Sequence, residues 1–198
     1  MILVTAFEPY DGSFVNPSEQ VLTYLPKRIH RAWLRKTTLP CDCQVAPKLA
    51  EQLACKAPTA LVLILGEDRR YSVPTLESSA YNCMNYETPD NAGNQPRGRP
   101  IVESGPHRLA TRVNTAKVQK GLAVHGVALD VSDDPGRHLC NHVYFTLLLM
   151  CSRSQRPNVV MLHLPRLPEQ GTQPCAPLET SLTTTQRVLD YLATREIM

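Results

Sequence analysis

One cysteine, a histidine segment downstream of it and a scatter of carboxylates are the residues of this chain whose types and order could do covalent chemistry. Cys140 sits in Gly136-Arg137-His138-Leu139-Cys140-Asn141-His142, at the mouth of an apolar run, and Leu162-His163-Leu164-Pro165 follows shortly after. The thiolate is the reactive form of cysteine, and a helix N-terminus favours it with unpaired N–H groups and the positive end of the helix dipole. Cys140 is therefore a candidate nucleophile and His163 a candidate base, the pairing that acyl transfer needs.

A third group must orient the base through its other ring nitrogen. Glu67, Asp68, Glu77, Glu87 and Asp90 all qualify by type, and pattern alone does not choose among them. Backbone N–H groups at the helix start after Cys140 would serve an oxyanion. Plainer readings fit the same residues: a cysteine before an apolar helix is often a small core residue, and a histidine between two leucines often a structural one.

The elements that must position these groups read as alternating strands and helices. Apolar runs at Ile2–Phe7, Leu61–Leu65, Leu122–Val131 and Asn158–Leu164 suggest strands, mostly buried on both faces. Helices are expected at Pro17–Leu25, Ala46–Lys56, Arg108–Lys120, Asn141–Ser152 and Leu178–Arg195. That alternation predicts an α/β chain, a three-layer α/β/α sandwich with a mostly parallel twisted central sheet and helices on both faces. Ligands of such sheets bind beyond the carboxyl ends of the strands. Phe7-Glu8-Pro9-Tyr10, Gly66-Glu67-Asp68, Asp133–Cys140 and His163 all fall at expected strand ends, so four loops would meet in one crevice. Glu67–Pro106, polar and rich in Pro, Gly and Asn, reads as an excursion around a site or an oligomer contact.

The chain's 198 residues suit one domain, and 42% apolar with 20% charged residues is an ordinary soluble composition. A formal charge of +3 gives no reason to expect nucleic acid, and the densest basic stretch, Lys27, Arg28, Arg31, Arg35 and Lys36, reads as a solvated face. Seven cysteines at irregular spacing match neither a disulfide framework nor a zinc site; Cys41 and Cys43 would share a face if on a strand. The first apolar run stops at Glu8-Pro9, too short for a signal peptide or membrane span, so the expected address is the cytoplasm.

At these residues the chain resembles the pyroglutamyl peptidase I, or pyrrolidone carboxyl peptidase, family of cysteine peptidases over essentially its whole length. Val4-Thr5-Ala6-Phe7-Glu8-Pro9-Tyr10 with Asn16-Pro17-Ser18 is similar to the family's opening. Pro89-Asp90-Asn91-Ala92-Gly93-Asn94-Gln95-Pro96 is similar to its P-D-N-x-G-N-Q-P signature, and the Cys140 and His163 segments to those carrying nucleophile and base. The resemblance implies one catalytic domain over residues 1–198, a Cys-His-Glu triad of Cys140, His163 and Glu77, and hydrolysis after an N-terminal pyroglutamyl residue through a thioester acyl-enzyme. It implies a lactam pocket of Phe7, Tyr10 and Leu139, with Glu67 at the position of a neutral amide, no metal or cofactor, and a homotetramer.

Departures accompany the match. Gly66-Glu67-Asp68-Arg69-Arg70-Tyr71 stands where the family has G-Q-A-G-G-R, and Glu87 stands where it has an arginine. His138 occupies a position often held by an aromatic residue. A charge reversed beside a thiolate and an oxyanion opposes both, by about 1 kcal/mol or more, with tenfold in rate for roughly each 1.4 kcal/mol. Two further readings follow from that reversal: a diverged amide hydrolase taking a basic substrate, and a non-catalytic binding protein that keeps the fold.

Overall fold

The computed structural model describes residues 1–56, 58–154 and 156–195, apart from the Arg153 side chain. Strand β1 (Ile2–Phe7) leads through Asn16 into helix α1 (Pro17–Tyr24). The Asn16 side chain accepts from the Ser18 N–H and proline opens the helix, as a first helical turn favours. β2 (Arg28–Ile29), β3 (Ala32–Leu39), α2 (Ala46–Cys55) and β4 (Leu61–Glu67) follow. Next come β5 (Thr75–Glu77), β6 (Ser79–Tyr81), β7 (Arg108–Ala110), α3 (Thr115–Ala123) and β8 (Asp130–Ser132). Helix α4 (Leu139–Ser154), β9 (Asn158–Leu164) and α5 (Leu178–Arg195) complete the order.

The sheet runs β2-β3-β1-β4-β9-β5-β8, and β6 and β7 form a separate hairpin-like pair. β3, β1, β4 and β9 are mutually parallel, whereas β2 and β5 run antiparallel to β3 and β9. Alternation along the strands serves two cores. Leu61, Leu63, Leu65, Val160, Leu162 and Leu164 pack with α1, α3 and α5, while Val62, Ile64, Val159 and Met161 pack with α2 and α4. The expected three-layer α/β/α arrangement is the one observed, each buried leucine contributing about 1.5–3 kcal/mol.

Several boundaries differ, for local reasons. β3 is a strand the sequence reading did not anticipate, with Leu34 and Leu39 buried; the basic residues keep a solvated face at Lys27, Arg28 and Arg31, while Lys36 Nζ donates to the carbonyls of Thr23 and Leu25 at the end of α1. The helix expected from Arg108 begins at Thr115, because Asn114 accepts from the Lys117 N–H and caps it, leaving Arg108–Ala110 to pair with β6. Of the expected strand Leu122–Val131, the first residues finish α3, a turn with Gly126 at φ +71° follows, and only Asp130–Ser132 is extended. Cys41 and Cys43 lie in a loop and not on a strand. Glu67–Pro106 is not a single excursion, since its β5 enters the main sheet between β9 and β8.

Candidate active site

The antiparallel register of β5 on β9 does what no local pattern predicts. Thr75 lies opposite His163 and Glu77 opposite Met161, so Glu77 and His163 are diagonal neighbours on one face. Their side chains meet: His163 Nδ1 is 2.8 Å from Glu77 Oε1, with the two side chains 1% and 0% exposed. A carboxylate in this role only accepts, so the hydrogen of that bond sits on Nδ1 and Nε2 is left for Cys140. The Cys140 thiol stands beside this ring, both residues lining the same cleft. Burial opposes a charge on His163, yet Cys140 and Glu77 outweigh it and push the imidazole pKa up to about 10.

Cys140 lies in the first turn of α4, one residue inside the helix. N–H groups of a first helical turn have no intrahelical carbonyl to bond. Asn141, fully buried, anchors this turn: its amide donates to the carbonyls of Tyr81 and Cys83 and accepts from the Tyr81 N–H. Gly66, paired with His163 across β4 and β9, passes directly beside the pair. A Cβ there would stand 2.8 Å from Cys140 Sγ, 3.0 Å from His163 Cδ2 and 3.3 Å from Nε2, so only glycine admits this approach.

Cys140 and His163 open onto a cleft of about 500 Å³. Phe7, Tyr10, Glu67 and Leu139, the expected substrate-contacting residues, all line it. Cys41 lines it too, with burial pushing its thiol pKa up. His138 stacks on Tyr86 with ring centroids 4.1 Å apart and shares a 3.0 Å hydrogen bond with the Thr88 carbonyl; burial lowers its pKa.

Both unusual carboxylates are answered by cations. Glu87 forms a 2.5 Å pair with Arg69 at the rim, where the side chains are 76% and 59% exposed. The penalty anticipated from its reversed charge is thus offset by a partner and by solvent. Glu67 is 2% exposed and accepts from Arg166 Nε at 2.9 Å and Gln170 Nε2 at 2.9 Å. Asp68 holds Arg70, which also donates to the Asp134 carbonyl and so ties the end of β4 to the loop before α4. Burial acts to raise the Asp68 pKa, but Arg70 and the His163 charge win and hold it below the usual range.

One other cluster has metal-ligating atoms within 4.8 Å of one another, Asp42, Cys43 and Asp90. Its chemistry suits a loop brace better. The Asp90 carboxylate already accepts from the N–H groups of Cys43, Ala92 and Asn94, and burial together with Asp90 pushes the Cys43 thiol up to about 11.

A family model described as pyroglutamyl peptidase matches residues 1–192. The chain belongs to this family. Pyrrolidone-carboxylate peptidase 1 of Photorhabdus laumondii is 32% identical over 190 residues, covering 90% of this chain and 86% of that one. The crystal structure of pyrrolidone carboxyl peptidase from Thermus thermophilus superposes with a TM-score of 0.88 at 32% identity, over 97% of this chain and 100% of that one. Pyroglutamyl peptidase I of Bacillus amyloliquefaciens gives 0.90 at 26% identity, over 98% and 97%.

Within this pyroglutamyl peptidase, sequence reasoning passed over four residues of the site. Gly66 is the last residue but one of β4, and a glycine inside a strand signals close approach. Tyr71 donates to Glu77 Oε1 at 3.0 Å from the loop after β4, a contact with no signature in spacing. Arg166 and Gln170 lie in the His163 segment but reach across to Glu67, a pairing only the β4–β9 register creates.

Proposed function

We propose that this chain removes pyroglutamate from the N-terminus of peptides, with Cys140 as nucleophile, His163 as proton carrier and Glu77 as the group that orients it. Family membership supplies the substrate class. The observation that carries the residue roles is His163 held between Glu77 at 2.8 Å and Cys140, beside an open cleft.

The reaction follows from that order. Cys140 Sγ, its proton passed to His163 Nε2, adds to the carbonyl carbon joining pyroglutamate to the next residue. N–H groups of the first α4 turn take the oxyanion. As the C–N bond breaks, His163 protonates the departing amine, leaving a thioester on Cys140. Water, deprotonated by His163, then cleaves the thioester and releases pyroglutamate. Glu77 keeps Nδ1 protonated throughout and favours the imidazolium. Phe7, Tyr10 and Leu139 enclose the five-membered ring, and Glu67 accepts its N–H.

Residues 1–198 act as one catalytic domain in this reading, the protein works in the cytoplasm, and its expected assembly is a homotetramer, for which light scattering is the check. No described helix is long and apolar enough to cross a membrane. The pairing of Glu67 with Arg166 and of Glu87 with Arg69 speaks against a pocket kept for a basic substrate. The test is release of a fluorogenic amine from its pyroglutamyl amide. Cys140→Ser should lose about a thousandfold or more in kcat, and equal turnover in the two proteins would end the mechanism.

A further inference from the structure

The Glu67–Arg166 pair in the cleft is more elaborately built than the reaction above requires. Glu67 ends β4 opposite Leu164, so Arg166, two residues further on, lies just past the paired strands. Its backbone is fixed by a bridge to Cys175 and by the 2.9 Å bond that its carbonyl accepts from the Ala176 N–H. Gln170 braces the carboxylate from the other side while its own Oε1 accepts from the Leu167 N–H at 2.8 Å. The guanidinium spends Nε on Glu67 and Nη1 on Thr172 Oγ1 at 3.3 Å. Among the described residues Nη2 makes no hydrogen bond, although Arg166 is only 17% exposed and lines the cleft. A half-buried cation in the wall of the cleft, with a donor that no described group occupies, can exchange solvent for the acceptor of a ligand.

Building on the peptidase reading, we infer that Arg166 is a specificity-determining residue: its open edge receives the ring carbonyl of the lactam while Glu67 accepts the ring N–H. A lactam, whose ring forces the amide to be cis, shows N–H and C=O side by side on one edge. A carboxylate beside a guanidinium is the matching acceptor and donor. Neither group can reverse its polarity, whereas an amide side chain in place of Glu67 could turn and offer its NH2 to a ring oxygen. The pair therefore makes the site strict for a donor next to an acceptor, and a lactone ring, with oxygen in place of N–H, meets the carboxylate lone pairs unmatched.

The test measures KM for a pyroglutamyl amide, together with inhibition constants for 2-pyrrolidinone and γ-butyrolactone, in wild type, Arg166→Met, Arg166→Lys and Glu67→Gln. Arg166→Met should raise the amide KM and the 2-pyrrolidinone constant together by about tenfold or more, with a much smaller change in kcat. Glu67→Gln should narrow the preference for 2-pyrrolidinone over γ-butyrolactone. Should Arg166→Met lose its fold, seen as a collapsed melting transition, Arg166→Lys decides, because one ammonium keeps the charge beside Glu67 without a second arm for the carbonyl. Normal turnover by wild type with KM and inhibition constants within twofold in both Arg166 variants overturns this inference alone. Absence of any wild-type turnover overturns the peptidase reading and this inference with it.

Discussion

The cleft carries two kinds of ion pair at similar distances and in opposite surroundings. On its inner side, Glu77 with His163 and Glu67 with Arg166 lie at 2.8 and 2.9 Å, with both carboxylates buried. At the rim, Glu87 with Arg69 and Asp134 with Arg137 are each 2.5 Å apart, with half or more of each carboxylate side chain exposed. Distance does not rank them. In water a charge that loses its partner is resolvated, so an exposed pair is worth little. Inside, the remaining charge has nothing to turn to, and removing one partner is costly. The departures from the family pattern that look most disruptive in sequence, Glu67 and Glu87, thus belong to different classes: one is a buried element of the pocket, the other a screened ornament of its edge.

Changing Glu77 is the severest way to test the inner class. Glu77→Gln should lower kcat by about a hundredfold or more, since Nδ1 loses the acceptor that fixes its hydrogen. It should also move the alkaline limb of the pH–rate profile. The His163 pKa lies above its ordinary value, so the imidazolium and the stability it confers are fully present below about 6.5 and are lost as pH rises through about 10. Without the Glu77 charge that pKa falls, and the limb moves to lower pH; an unmoved limb would show that Glu77 does not hold the proton on His163.

Gly66→Ala comes next. Its methyl group would crowd Sγ and the imidazole together, so alkylation of Cys140 by iodoacetamide and amide turnover should both drop by about tenfold or more, with the fold retained. Glu87→Gln, at the rim, should change kcat/KM by about twofold at most at physiological salt. A large loss there would erase the distinction between the two classes.

Legibility in sequence followed the same divide between local and distant causes. β1, β4 and β9 are six or seven residues of nearly unbroken apolar chain, and α5 has eighteen residues of period, long enough for pattern to speak. β5 and β8 have three residues each, too few for any period, yet they complete the sheet and bring Glu77 in. Asn114 and Gly126 redirected two boundaries through a cap and a turn that outrank a run of branched residues. Cys140 and His163 stood out by type and setting, whereas Tyr71, Arg166 and Gln170 carry no meaning until the strands are paired.

By itself the sequence determined the chemistry on offer: a thiol at a helix start, an imidazole at a strand end, and motifs whose order matches one peptidase family. It also determined the parallel core that places those strand ends together, because branched apolar runs must be buried on both faces. Residue pattern left five carboxylates open and the family resemblance pointed to Glu77; only the tertiary structure supplied the cause of its meeting with His163, since an antiparallel register between residues 86 apart in the chain is set by the whole sheet. The meaning of Glu67 and Glu87 was decided there too, because the worth of a charge depends on the water and the partner beside it, and neither is written in residue order.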